Sequence, residues 1–173
     1  RQEETAADIV IGKTVWDNNG EKYIYNYHES CFNFDVLEGE EIQRRYFTQE
    51  AQCYSWHTIW NKLYKKTLWD ACAEEFESVQ NHIIMTEDIY FSSVLFSNAR
   101  KLSRVENDAY FYCVNENAST NSEGIRLARF KKNIEDITYV FEKAETYLKK
   151  NGLKQELLDS FHNARLHYVR MWS

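Results

Sequence analysis

The chain has 173 residues, a formal net charge of -6, 43% hydrophobic and 16% aromatic residues. That length suits one domain or one domain with an appendage, and the aromatic content excludes disorder as the main state. The acidic balance excludes a general nucleic-acid binder, which needs a basic face, and no apolar run approaches the ~18 residues that cross a bilayer.

There are no prolines, where average usage is about 5%, so a helix-rich chain is expected. The sequence starts Arg1-Gln2-Glu3-Glu4, which predicts an excised segment of a longer protein. The four cysteines, Cys31, Cys53, Cys72 and Cys113, form no C-x-x-C pair. Reduced and mostly buried thiols are expected, not a zinc site.

In chain order, Ile9-Val10-Ile11 and Val15-Trp16 read as strand. Asp17-Asn18-Asn19-Gly20 is a turn, since Asn-Gly suits the primed hairpin turns. Lys22 to Tyr27 then alternates, with Tyr23, Tyr25 and Tyr27 on one face, as a half-buried hairpin face or a sugar-stacking platform. Glu38 to Phe47 predicts a short helix with acidic residues in its first turn, which suits the dipole. The aromatic and lysine-rich stretch 54–70 predicts a helix entering an extended piece. Its lysines, Lys62, Lys65 and Lys66, form a solvated face or a contact for an anionic membrane surface or a phosphorylated acceptor.

A helix is expected over Asp70 to Phe76 and a short strand over His82 to Met85. Phe91, Leu95, Ala99 and Leu102 then recur at helical spacing. Ala109 to Val114 predicts a last strand. In the tail, Leu127, Phe130, Ile134, Ile137, Phe141, Ala144 and Leu148 form a heptad seam. Thr120 and Glu123 fit a capping box before it, and Asn151-Gly152 provides a stop. A second apolar stripe runs from Leu153 to Met171. Residues 121–172 are therefore expected to form a helical hairpin, with Phe130, Ile134, Ile137 and Phe141 buried.

Thr86-Glu87-Asp88 lies at the head of the helix that carries Phe91 and Leu95. Read locally, Thr86 is an N-cap and the two carboxylates offset the dipole. Read chemically, a carboxylate facing a cleft there acts as a general base on a hydroxyl.

A wider pattern surrounds this pair: Trp60-Asn61-Lys62-Leu63-Tyr64-Lys65-Lys66, Phe76, Thr86-Glu87-Asp88, Asn98-Ala99-Arg100-Lys101, Tyr110-Phe111-Tyr112 and Ser119. In order and spacing, it resembles the second half of bacterial family 2 glycosyltransferases, over residues ~6 to ~122. The resemblance implies an α/β chain carrying part of a GT-A fold, helix-rich, with residues 1–120 as the acceptor-side half and 121–173 as a C-terminal helical hairpin. It implies sugar transfer from a nucleotide-sugar to a glycan or lipid-linked hydroxyl acceptor, in cell-surface polysaccharide synthesis at the cytoplasmic face of a bacterial membrane. Asp88 stands where the family has its catalytic base and Glu87 beside it, while Trp60, Asn61 and Lys62 line the acceptor side.

The family also uses a divalent metal, Mn or Mg, held by a D-x-D motif in a donor-binding half. No two aspartates here are separated by one residue. The segment is thus expected to bind no metal and to be inactive alone. At a position after the aromatic pair that is often Arg in the family stands Cys113. The rival expectation is a non-catalytic interaction module that forms a homodimer through its C-terminal helices, the acidic pair merely capping a helix.

Overall fold

The computed structural model describes residues 1–24, 32–48, 54–79, 82–83, 85–114 and 127–172. The chain is mixed α/β. A short helix α1 (Gln2–Thr5) leads into strand β1 (Ile9–Asn18), which turns into β2 (Glu21–Ile24). Then come β3 (Val36–Glu38), α2 (Glu40–Thr48), the single turn α3 (Tyr54–His57), β4 (Lys62–Tyr64) and α4 (Lys66–Glu77). Helix α5 (Glu87–Asn98), strand β5 (Lys101–Cys113), α6 (Leu127–Lys150) and α7 (Gln155–Trp172) complete it.

β1 is the centre of the sheet. It pairs in parallel with β5 along most of its length. Its other edge is shared by β4, against Ile9–Ile11, and β2, against Val15–Asn18, both antiparallel. β3 adds to the far edge of β5, antiparallel. A strand enclosed on both faces needs no alternation, and Ile9, Val10, Ile11, Thr14 and Val15 are all buried. This explains why the two apolar runs of the sequence are one ten-residue strand. The turn at its end has Asn19 and Gly20 both at positive φ, 53° and 94°, as a type I′ hairpin requires.

Several elements differ from the sequence expectation. β5 begins at Lys101, well before Ala109, and its mostly polar run Arg104 to Asp108 lies in a stretch where the register to β1 slips. Charge and irregularity together hide its alternation. The helix expected over Asp70 to Phe76 runs from Lys66 to Glu77. Of the strand expected over His82 to Met85, the described residues are not in a strand. The stripe through Phe91, Leu95, Ala99 and Leu102 is not one helix face. α5 ends at Asn98, Ala99 turns extended, and Leu102 belongs to β5. Helix α5 is instead buried almost all round, at Ile89, Tyr90, Ser92, Ser93, Val94, Leu95 and Phe96. Tyr25, Tyr27, Cys31, Cys53, Ser119, Thr120 and Glu123 lie outside the described residues.

α6 lies against α5 on one side and α7 on another, and α7 also reaches α2. Ile137, Phe141, Ala144 and Leu148 of the heptad seam are fully buried, and Val140 joins them. Phe130 and Ile134 are only half-buried, so the covered face at the N-terminal end of α6 turns towards Asn133 and Asp136. α6 stops in a Schellman arrangement: Leu153 N–H bonds Leu148 O at 3.0 Å, and Gly152 N–H bonds Lys149 O at 3.2 Å. Gly152 supplies the left-handed φ of 77° that this stop needs. One aromatic cluster then joins the two ends of the chain. Trp56 meets Phe32 and Phe96, Tyr46 stacks on Phe96, and Phe47 meets Phe161, which packs on Phe141.

Candidate functional site

Asp88 sits in the first turn of α5, beside exposed Glu87. The residue before them is strained. Thr86 has φ 65° and ψ 15°, a left-handed conformation that costs a β-branched residue of order 1–3 kcal/mol. Its hydroxyl donates to Met85 O at 2.6 Å and caps no helical N–H. The side-chain cap expected for Thr86 is therefore absent, and the backbone bend aims the acidic pair.

The Asp88 carboxylate is partly buried and accepts the Ile59 N–H at 3.4 Å. Burial raises its pKa from 3.8 to about 6, with Glu87 acting in the same direction; the Ile59 N–H and Lys62 offset part of the rise. A base with that pKa is ionised at neutral pH and still takes up a proton readily.

The facing segment is a tight turn between α3 and β4. Lys62 folds back into it. Its ammonium donates to Ser55 O at 2.6 Å, to Thr58 O, and to Asn61 Oδ1 at 2.7 Å. Burial pushes its pKa down to about 7, with Asp88 pulling the other way. Asn61 is also internal, 1% exposed; its Oδ1 accepts from Thr58 Oγ1 at 3.0 Å, and its backbone O accepts the Gly12 N–H. The Asn61 amide nitrogen is buried with no hydrogen-bond partner. These two residues build the turn.

Trp60 is the member of that trio whose ring joins other aromatics. It packs on Tyr110, centroids 4.4 Å apart, and on Tyr112, 5.8 Å apart. Tyr112 stacks on its cross-strand partner Trp16 at 4.8 Å, and Trp16 on Tyr23 at 6.2 Å. A row of five aromatic rings thus crosses the carboxyl ends of the parallel strands β1 and β5. It starts beside the Ile59–Asp88 contact and ends at Tyr23, half exposed.

Of the lysine face, Lys62 turns inward, Lys65 pairs with Asp8 at 3.8 Å and Lys66 with Asp70 at 2.6 Å. Cys72 is buried and reduced, and Cys113 is exposed at the end of β5. Among the described residues, no group of three His, Cys, Asp or Glu could hold a metal ion, and no helix is long and apolar enough to cross a membrane.

Sequence reasoning missed the residues behind the site. Tyr46, His57, Ser92 and Tyr168 form a buried polar cluster under Asp88. For the aromatic row, the alternation Tyr110-Phe111-Tyr112 is the signal that could have placed the two tyrosines on one face of a strand. Nothing in the local pattern around Tyr168 distinguishes it from a core aromatic. The sequence matches no protein-family model, and no curated protein matches it.

Proposed function

We propose that this chain forms the acceptor-side half of a glycosyltransferase of the GT-A type, similar to the bacterial family 2 enzymes, with Asp88 as the general base. One observation carries the reading. A carboxylate with its pKa raised to about 6 stands at a strained helix start, against the turn that presents Trp60. Buried acids poised near neutrality at such positions are where proton-transfer chemistry concentrates.

In this reading an acceptor hydroxyl lies against Asp88. As its oxygen attacks the anomeric carbon of the donor sugar, its proton passes to the carboxylate. The bond from that carbon to the diphosphate breaks, and the nucleoside diphosphate leaves with the electron pair. Glu87 disfavours the ionised form of Asp88 and so raises its basicity. Trp60, Tyr110 and Tyr112 give the acceptor an aromatic wall at the carboxyl ends of parallel strands, where α/β sheets commonly bind ligands. Asn61 and Lys62 hold the turn that carries Trp60 and the Ile59 N–H. Among the described residues no group of three His, Cys, Asp or Glu offers a site to the divalent metal of the family. The dimerising-module reading has less support, because Ile137, Val140, Phe141, Ala144 and Leu148 are already covered within the chain.

The test is Asp88→Asn in the natural protein that carries this chain. Transfer to acceptor should fall about 10²–10⁴-fold, the worth of a positioned base, while donor binding is retained. A folded variant keeping more than roughly a third of the transfer rate, far above that loss, overturns the assignment.

A further inference from the structure

Behind Asp88, a buried hydrogen-bonded chain runs from the C-terminal helix to the turn that contacts the carboxylate. Tyr168 on α7 and His57 at the end of α3 are each 3% exposed. The Tyr168 hydroxyl and His57 Nδ1 are 2.6 Å apart. His57 is held from its other side too. Its carbonyl accepts from Ser92 Oγ at 2.9 Å, and the same hydroxyl lies 2.6 Å from the Asp88 carbonyl. The Tyr46 hydroxyl, fully buried, is 2.6 Å from Ser92 Oγ and 3.1 Å from Ser93 Oγ. The His57 ring is thus tied to α7 and its backbone to α5. Two residues later comes Ile59, whose N–H meets Asp88 Oδ2 at 3.4 Å. A bond that long is sensitive to small displacements of the turn.

We infer that Tyr168 is a positioning residue: through His57, the C-terminal helix holds the turn at residues 58–60 in place against the Asp88 carboxylate. The catalytic meaning of this inference rests on the reading of Asp88 as a base; its structural part does not.

The contact suits a strut. Burial and Lys62 hold His57 down to about 3, so the ring stays neutral and the link to Tyr168 keeps one form across neutral pH. The Tyr168 ring packs on Phe141, centroids 5.7 Å apart. Tyr168→Phe therefore keeps the packing and removes only the hydroxyl. The groups that act on Asp88 from the packed elements are Glu87 on its own helix, Lys62 and the Ile59 N–H from the turn. Tyr46 on α2 and Tyr64 on β4 are also coupled to it electrostatically. Loss of the Ile59 contact removes a donor that favours the ionised carboxylate.

The experiment follows the Asp88 carboxyl titration by ¹³C NMR and backbone amide exchange on the 173-residue chain. Tyr168→Phe should raise the Asp88 midpoint, and Ile59 amide exchange should quicken by about tenfold, the worth of one hydrogen bond. Exchange in β1 should be unchanged. His57→Gln should give the same signature, and the double variant should add little to it. Leu166→Ala, on the same helix but 50% exposed, should move neither quantity.

A folded Tyr168→Phe chain with wild-type Ile59 exchange and Asp88 midpoint overturns the inference. So does a variant that fails to fold, or whose exchange rises evenly through α7 and the sheet, because either outcome marks a plain packing role. In the natural protein, Tyr168→Phe should lower kcat and leave the donor KM unchanged. If Asp88→Asn keeps its transfer activity, the base assignment fails on its own, while the NMR result still decides whether Tyr168 positions the turn.

Discussion

Asp88 carries a cost that its surroundings make measurable. An aspartate at 3.8 in the unfolded chain and about 6 in the folded one binds its proton more tightly when folded. Stability is then greatest below the unfolded value and falls as pH rises from about 4 to about 6, after which it is level. The displacement corresponds to about 3 kcal/mol. That displacement already includes whatever the carboxylate gains from the dipole of its helix. Asp88→Asn should therefore stabilise the fold by up to about 3 kcal/mol at pH 7.5. The gain should vanish near pH 4. Urea unfolding of both proteins at the two pH values checks this, and equal stabilities at pH 7.5 would refute a buried, destabilising carboxylate. Under the proposed function, gained stability alongside lost transfer is the trade expected of a residue kept for chemistry. The carboxylate itself was legible in the sequence, because Thr86-Glu87-Asp88 heads an apolar helix. The roles of Asn61 and Lys62 were not. A lysine amid aromatics and other lysines reads as solvated, and only the folded turn shows three oxygen acceptors converging on its ammonium.

Among the elements, α5 is the one on which the site depends. Its burial on nearly every side explains why a single-stripe reading misplaced Ala99 and Leu102. Helical periodicity reports a boundary between core and solvent, and α5 has almost no solvent face. Its start is the exception to good local chemistry. A threonine in the left-handed region is a local conflict that the surroundings must hold in place. Thr86→Gly removes the side-chain clash, although glycine also gains freedom in the unfolded chain. The net expectation is a stabilisation of about 1 kcal/mol, seen as a raised urea midpoint with an unchanged slope. A destabilised Thr86→Gly protein would show that the Thr86 side chain contributes more than the strain it imposes. By contrast, the hairpin at Asn19-Gly20 and the stop at Gly152 were both legible, since each depends on a residue that tolerates positive φ. A turn is specified by one or two residues, whereas the bulged β1–β5 ladder is specified by partners far apart in the chain.

At the scale of the whole molecule, the helical tail and the sheet share one core. Phe141 on α6 touches Phe161 and Tyr168 on α7, and Phe161 touches Phe47 on α2. Phe47 in turn meets Tyr46, which stacks on Phe96 of α5. The sequence divided the chain near residue 120 because the apolar period changes there from short, mixed segments to a sustained heptad. A change of period marks a change of element, and it says nothing about where each apolar face is buried. If the faces are shared, the tail has no independent stability to lose. Phe141→Ala should cost about 3–5 kcal/mol, the usual range for a fully buried phenylalanine. More informative is how the loss is distributed. Far-ultraviolet circular dichroism is weighted towards α6 and α7, the two longest helices, while fluorescence is weighted towards Trp16, Trp56, Trp60 and Trp69 in the remainder. In one cooperative unit the two signals unfold together in the wild type and move together in the variant. Separate transitions, with Phe141→Ala lowering only the helical one, would show that the tail folds by itself. Tyr168 would then be docked onto the site from outside, and its bond to His57 would be the part most readily broken.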